Sequence, residues 1–160
     1  MDHWKIAPPK PSSLGDHDVQ IDGHHLKDKR VALVITGGIA AMKAPFIIRA
    51  LRSQGASVVV FASEESLRYT TIDALEWSSN HRVVNRLTAA SEHLSDNNPF
   101  DLYIVAPATY NTINKMANGI ADNTVTTVLA VAIGRMERGK SKLVIAPTAH
   151  GMLHLSLIHI

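Results

Sequence analysis

The residues able to do chemistry fall into four short groups. Thr36-Gly37-Gly38-Ile39 follows an apolar run; its two glycines let a backbone approach a ligand, and its amides open a helical stretch suited to phosphate. Thr109, Asn111 and Thr112 stand in the string PATYNT at 107–112, where capping a helix requires only one such residue. Three in four positions point to polar ligand contacts as well. A polar break at 117–123, with Asn118, Gly119 and Asp122, comes soon after. His93 is a solitary histidine placed at a polar helix end before the next apolar run, and histidine is the side chain best suited to proton transfer near neutral pH. Ser63 and His150 follow two further apolar runs.

Other signals are weaker. The string GRMERGKS at 134–141 matches the P-loop pattern, but an apolar helical stretch at 125–133 precedes it and a strand-like run at Leu143 follows. A P-loop needs the reverse order, so a solvated helix-to-strand loop is expected. His24 and His25 are adjacent without a third ligand at metal spacing, and no metal site is assigned. The chain has no cysteine, which excludes a disulfide framework, a thiolate zinc site, an iron–sulfur cluster and a thiol nucleophile of its own.

The elements that must hold these groups are legible in the apolar pattern. Runs beginning at Val31, Ser57, Leu102 and Leu143 are continuously apolar or β-branched and alternate with helical stretches. Continuous rather than alternating strands belong to a parallel sheet covered on both faces. The expected fold is therefore α/β, a doubly wound parallel sheet of Rossmann-like type, with ligands gathering beyond the carboxyl ends of the strands. Four loops fall on that rim: 36–40 after the first run, 62–64 after the second, 107–112 after the third and 147–150 after the last. The helical stretch at 125–133 carries more apolar surface than one buried face requires, as a subunit interface would.

The chain has 160 residues, 46% hydrophobic and 19% charged, which suits one domain burying roughly 70% of its unfolded surface. A net charge of +2 with both signs scattered offers no field for nucleic acid or an anionic membrane, and neither is expected as a partner. The start lacks the apolar run of a secretory signal, and the uncharged stretch at 143–160 is broken by Pro147 and Gly151; a cytoplasmic protein without a membrane span is expected. Residues 1–29 read as a flexible arm with a hairpin around Asp22-Gly23, and residues 30–160 as the domain proper.

Over residues 30–154 the chain resembles the flavin-containing cysteine decarboxylases, the family of phosphopantothenoylcysteine decarboxylase and the peptidyl-cysteine decarboxylases. The resemblance is carried by ITGGIAA at 35–41, by Ser63, Arg68 and Thr71, and most specifically by PATYNT at 107–112 continuing through NKMANGIADN at 114–123. It implies FMN held by Gly37, Gly38, Ile39, Ser63, Ala108, Thr109, Tyr110, Asn111 and Thr112. It implies a catalytic His93, which stands eight residues before Asp101 as the family histidine does before its own acidic residue. Asn118, Asp122 and His150 are assigned to the substrate. The implied reaction oxidises the terminal cysteine of a small molecule or peptide to a thioaldehyde, the electron sink that lets the carboxylate leave and yields an enethiol. A trimer-based homo-oligomer is implied as well.

Two departures keep other functions open. The family asparagine after the last strand is replaced at His150, and the cysteine of the coenzyme A pathway enzymes is missing. A non-catalytic flavin-binding regulatory subunit and a flavin reductase of a pterin-like substrate are the alternatives. The final run LSLIHI at 155–160 resembles translated adapter sequence, so the natural chain is expected to be longer and the domain incomplete.

Overall fold

Five of the six residues of β1 (Arg30–Ile35) are wholly buried, the burial expected of a central parallel strand. In the computed structural model, which describes residues 11–94 and 98–151, β1 pairs in parallel with β2 (Ser57–Ala62) on one side and β3 (Leu102–Thr109) on the other. The fourth strand, β4 (Lys142–Thr148), extends the sheet beside β3, giving the order β2-β1-β3-β4. All the pairings are parallel, and the doubly wound α/β fold read from the sequence is the one observed.

Alternate residues of β1 serve the two faces, as the period of a strand requires. Val31, Leu33 and Ile35 pack with Ile48 of α1 (Ala44–Ser53) and Leu75 of α2 (Ile72–Ser79). Ala32 and Val34 pack instead with Val125, Val128 and Leu129 of α4 (Thr124–Glu137), and Met116 of α3 (Tyr110–Ala117) borders that second cluster. Helix α4 opens on a complete capping box, Asn123 accepting from the Thr126 amide and Thr126 from the Asn123 amide. The P-loop-like string closes α4 and enters β4, a helix-to-strand loop as expected.

Three expectations need correction. The hairpin around Asp22-Gly23 does not form, because the amides of Asp22 and Gly23 both donate to the Ser53 carbonyl at the end of α1, at 2.9 and 3.2 Å. The Leu26 amide donates to Gln54, and Leu26 packs against the core, so the last part of the arm is a strap on α1. Next, β3 runs on through Pro107 to Thr109, with a register shift between Val105 and Ala108 and a cis Ala106–Pro107 bond. Finally, His93 lies in a turn rather than at a helix end, and no helix occurs among the described residues of 80–101. Residues 1–10 and 152–160, with His154 and the LSLIHI run, lie outside the described residues.

Candidate functional site

Thr36 directly follows β1 at the carboxyl edge, and its buried hydroxyl ties two loops together. It donates to the Pro107 carbonyl at 2.6 Å and accepts from the Thr109 amide at 3.0 Å. The glycine turn after β1 and the TYNT segment after β3 are thus one assembly. Thr109 Oγ1 in turn lies 3.1 Å from Thr112 Oγ1 on the first turn of α3.

The glycines are fixed by close approach. A Cβ on Gly37 would lie 2.4 Å from the Glu65 Cβ, a distance real side chains do not tolerate, and one on Gly38 would lie 3.3 Å from Thr109 Cγ2. The loop carrying Glu65 starts at Ser63, which caps a short 3₁₀ turn (Glu64–Arg68) by accepting from the Ser66 amide. Its serine is needed there whether or not a ligand is bound.

Together these loops wall a cavity of about 740 Å³. Six residues singled out from the sequence line it: Gly37, Ser63, Thr109, Asn111, Thr112 and Asp122. Gly38 supports Thr109 from behind, Ala108 is buried in the strand beneath, Tyr110 opens α3 beside the lining, and Ile39 points outward at 67% exposure. Asn118 lies outside, its amide donating to the Asn114 carbonyl on the same helix. His150 is exposed just past β4 and is not brought to the cavity. Nor is His93, whose buried Nδ1 has no hydrogen-bond partner among the described residues.

Other lining residues escaped the sequence reading. Asn85 and Arg86 follow Val84, which bridges to Phe61 at the end of β2, and the Asn85 carbonyl accepts from Thr124 Oγ1 at 3.1 Å. An isolated bridge has no period, so nothing in the local sequence announces it. Lys115 reaches into the cavity and donates to Asp122 at 2.6 Å. That bond, followed by the one from Thr126, holds the Asp122 carboxyl below the usual carboxylate range, so it is an anion at neutral pH. Glu65 pairs with Arg68 at 3.1 Å, whereas Arg86 makes no ion pair among the described residues.

The cavity falls within the roughly 300–1,000 Å³ span of small-molecule and cofactor sites. It offers hydroxyls, side-chain amides and a backbone cradle that a Cβ would fill, which suits a polar, phosphate-bearing cofactor. The flavoprotein family model matches residues 20–159, covering these loops. The chain belongs to the flavoprotein family. The bifunctional coenzyme A biosynthesis protein CoaBC of Thermococcus kodakarensis is 35% identical over 133 residues, 81% of this chain and 32% of that protein. This flavoprotein therefore spans about a third of the length of that relative. The FMN-dependent cysteine decarboxylase SpaF shares the fold with a TM-score of 0.65 at 20% identity, over 80% of this chain and 73% of its own. The peptidyl-cysteine decarboxylase EpiD superposes with a TM-score of 0.61 at 25% identity, over 81% and 80% of the two chains.

Proposed function

We propose that this flavoprotein is an FMN-dependent carbon–carbon lyase that decarboxylates a substrate ending in cysteine, of the phosphopantothenoylcysteine or peptidyl-cysteine type. The observation that carries the proposal is the cavity at the carboxyl edge, where Gly37, Ser63, Thr109, Asn111 and Thr112 converge. The names of the relatives, in coenzyme A biosynthesis and in cysteine decarboxylation, support the same reading.

These loops would hold FMN by the Gly37-Gly38 backbone and by the hydroxyl and amide groups of Ser63, Thr109, Asn111 and Thr112. When bound, FMN supplies the two-electron oxidation that turns the substrate cysteine into an electron sink beside its carboxylate. The chain's own contribution is placement and proton handling. The α3 amino terminus directs a positive dipole end at the cavity, and Arg86 and Lys115 stand in a wall that also carries Glu64, Glu65 and Asp122. His93 is the group that takes or holds the thiol proton. Because His93 stands away from the cavity of its own chain, the complete site is proposed to form between copies, in a trimer-based assembly.

That same placement favours a second reading, a flavin-binding regulatory subunit without turnover. One experiment separates the two. Purified protein is expected to be yellow and to bind FMN in preference to FAD, and carbon dioxide release from a cysteine-terminated substrate is followed at matched flavin occupancy. His93→Asn is expected to keep the flavin spectrum and to lose about 10²- to 10⁴-fold in rate. Undiminished turnover in His93→Asn overturns the catalytic assignment; flavin binding with no turnover in the wild type selects the regulatory subunit.

A further inference from the structure

A second cavity, of about 700 Å³, opens at the other end of the sheet, where β1 begins at Arg30 and β2 at Ser57. Lys29, Arg30, Arg52 and His81 line it, with Asp28 as the one acidic residue of the lining. The two guanidinium groups are satisfied by neutral carbonyls. Arg52 donates to Ser78 at 2.6 Å and to His17 at 2.8 Å, and Arg30 donates to Asn98 and lies 3.8 Å above the Phe100 ring. Carbonyls and aromatic faces orient a guanidinium but leave its charge uncancelled. Neither arginine forms an ion pair among the described residues; of the cations here only Lys29 does, with Asp101 at 3.1 Å.

His81 reports the resulting field. Its Nε2 lies 3.2 Å from Ser57 Oγ, and burial, then the charges of Arg30 and Arg52, push the imidazole below the ordinary histidine range. Carboxylates are present nearby without cancelling this effect. Asp28 shares the lining, Asp18 acts on Arg52, and Asp73 and Glu76 of α2 face the opposite side of His81 beside Arg82. A neutral histidine beside two arginines that form no ion pair among the described residues, with a serine hydroxyl and a lysine at the same wall, gathers several donors around one lining carboxylate, Asp28.

We propose that this cavity binds the phosphoryl group of a phosphorylated small molecule, independently of the flavin cavity at the far edge of the sheet. A phosphate oxyanion accepts from guanidinium, ammonium, hydroxyl and imidazole together, and forked arginine donors match its geometry. The space exceeds what bare phosphate fills, which leaves room for the molecule that carries it.

The test follows the His81 ring proton by NMR on the full chain, assigned with His81→Gln, in inorganic phosphate and in sodium chloride at equal ionic strength, with FMN saturating. Phosphate is expected to raise the His81 pKa by about half a unit or more over chloride, since a bound anion reverses the local field. Lys29→Gln, at a half-exposed side chain, is expected to weaken phosphate binding by about tenfold while leaving the FMN titration unchanged. Identical His81 titrations in the two salts overturn the proposal. So does unaltered phosphate affinity in Lys29→Gln, or a phosphate effect that vanishes once FMN is saturating.

Discussion

At the scale of single residues, the site is defined by what its positions cannot accept. Gly37→Ala places a methyl 2.4 Å from the Glu65 Cβ, so either the glycine turn or the Ser63 loop must move. We expect a loss of about 1–3 kcal/mol in unfolding free energy, as for other overpacked sites, and FMN affinity reduced by at least about tenfold. Gly38→Ala, meeting only Thr109 Cγ2 at 3.3 Å, is expected to be milder on both counts. Equal flavin titrations for wild type and Gly37→Ala would show that the turn is not part of the cradle. Gly37, Thr109, Asn111 and Thr112 were legible because unusual residue types sat beside strand ends. Asn85 and Arg86 were not, since they reach the cavity only through the Phe61–Val84 bridge, a long-range pairing with no local pattern.

At the scale of elements, the joint between the ends of β1 and β3 decides whether two ligand loops share one geometry. Thr36→Val keeps the shape of the side chain but removes a buried hydroxyl that donates to Pro107 and accepts from the Thr109 amide. Unpaired buried groups cost about 1–3 kcal/mol each, so a loss of about 2 kcal/mol or more is expected in denaturant unfolding, with weakened FMN binding. Thr36→Ser, which restores the hydroxyl, is expected to recover most of both. Equal stability of Thr36→Val and wild type would count against the joint. The strands themselves were readable because burial on both faces produces continuous apolar runs. The end of β3 was not, since Pro107 and the polar residues after it look like the start of a helix while the backbone continues as strand to Thr109. The Asp22-Gly23 turn signal failed for a related reason: its amides are claimed by the Ser53 carbonyl, a partner distant in sequence that no local rule supplies.

At the scale of the whole molecule, Asp101 gathers the amino-terminal ends of three strands. Its carboxylate accepts from the Arg30 amide at 2.9 Å and from Lys29 at 3.1 Å, while its carbonyl accepts from the Lys142 amide. The Arg30 amide first, then Lys29, holds the carboxyl below its ordinary value. A depressed folded pKa means stability present above the unfolded value near 3.9 and lost as the pH falls through the folded one. Because the side chain is 40% exposed, the contribution is expected to be about 1 kcal/mol or less. Asp101→Asn is therefore expected to lower the urea midpoint at pH 7 and to approach wild type as the pH falls through the depressed folded value of Asp101; parallel acid limbs would refute this. One face of α4, Val125, Val128, Leu129 and Ala132, is buried within the subunit, while Ala130 is exposed and Val131 and Ile133 are only partly covered. Further apolar surface is exposed on Ile39 and Met42 of the 3₁₀ turn before α1 and on Phe46 of α1 itself, by 67%, 54% and 75%, at spacings of three and four residues. That patch adjoins the Gly37-Gly38 turn, where a second copy would cover apolar area beside the cavity. Phe46→Asp is accordingly expected to convert an assembly sedimenting at about three times the monomer mass into monomer, and to weaken FMN binding although the residue does not line the cavity. A wild type that sediments as monomer at micromolar concentration, or a Phe46→Asp variant that stays assembled, would place the contact on another surface or remove it altogether.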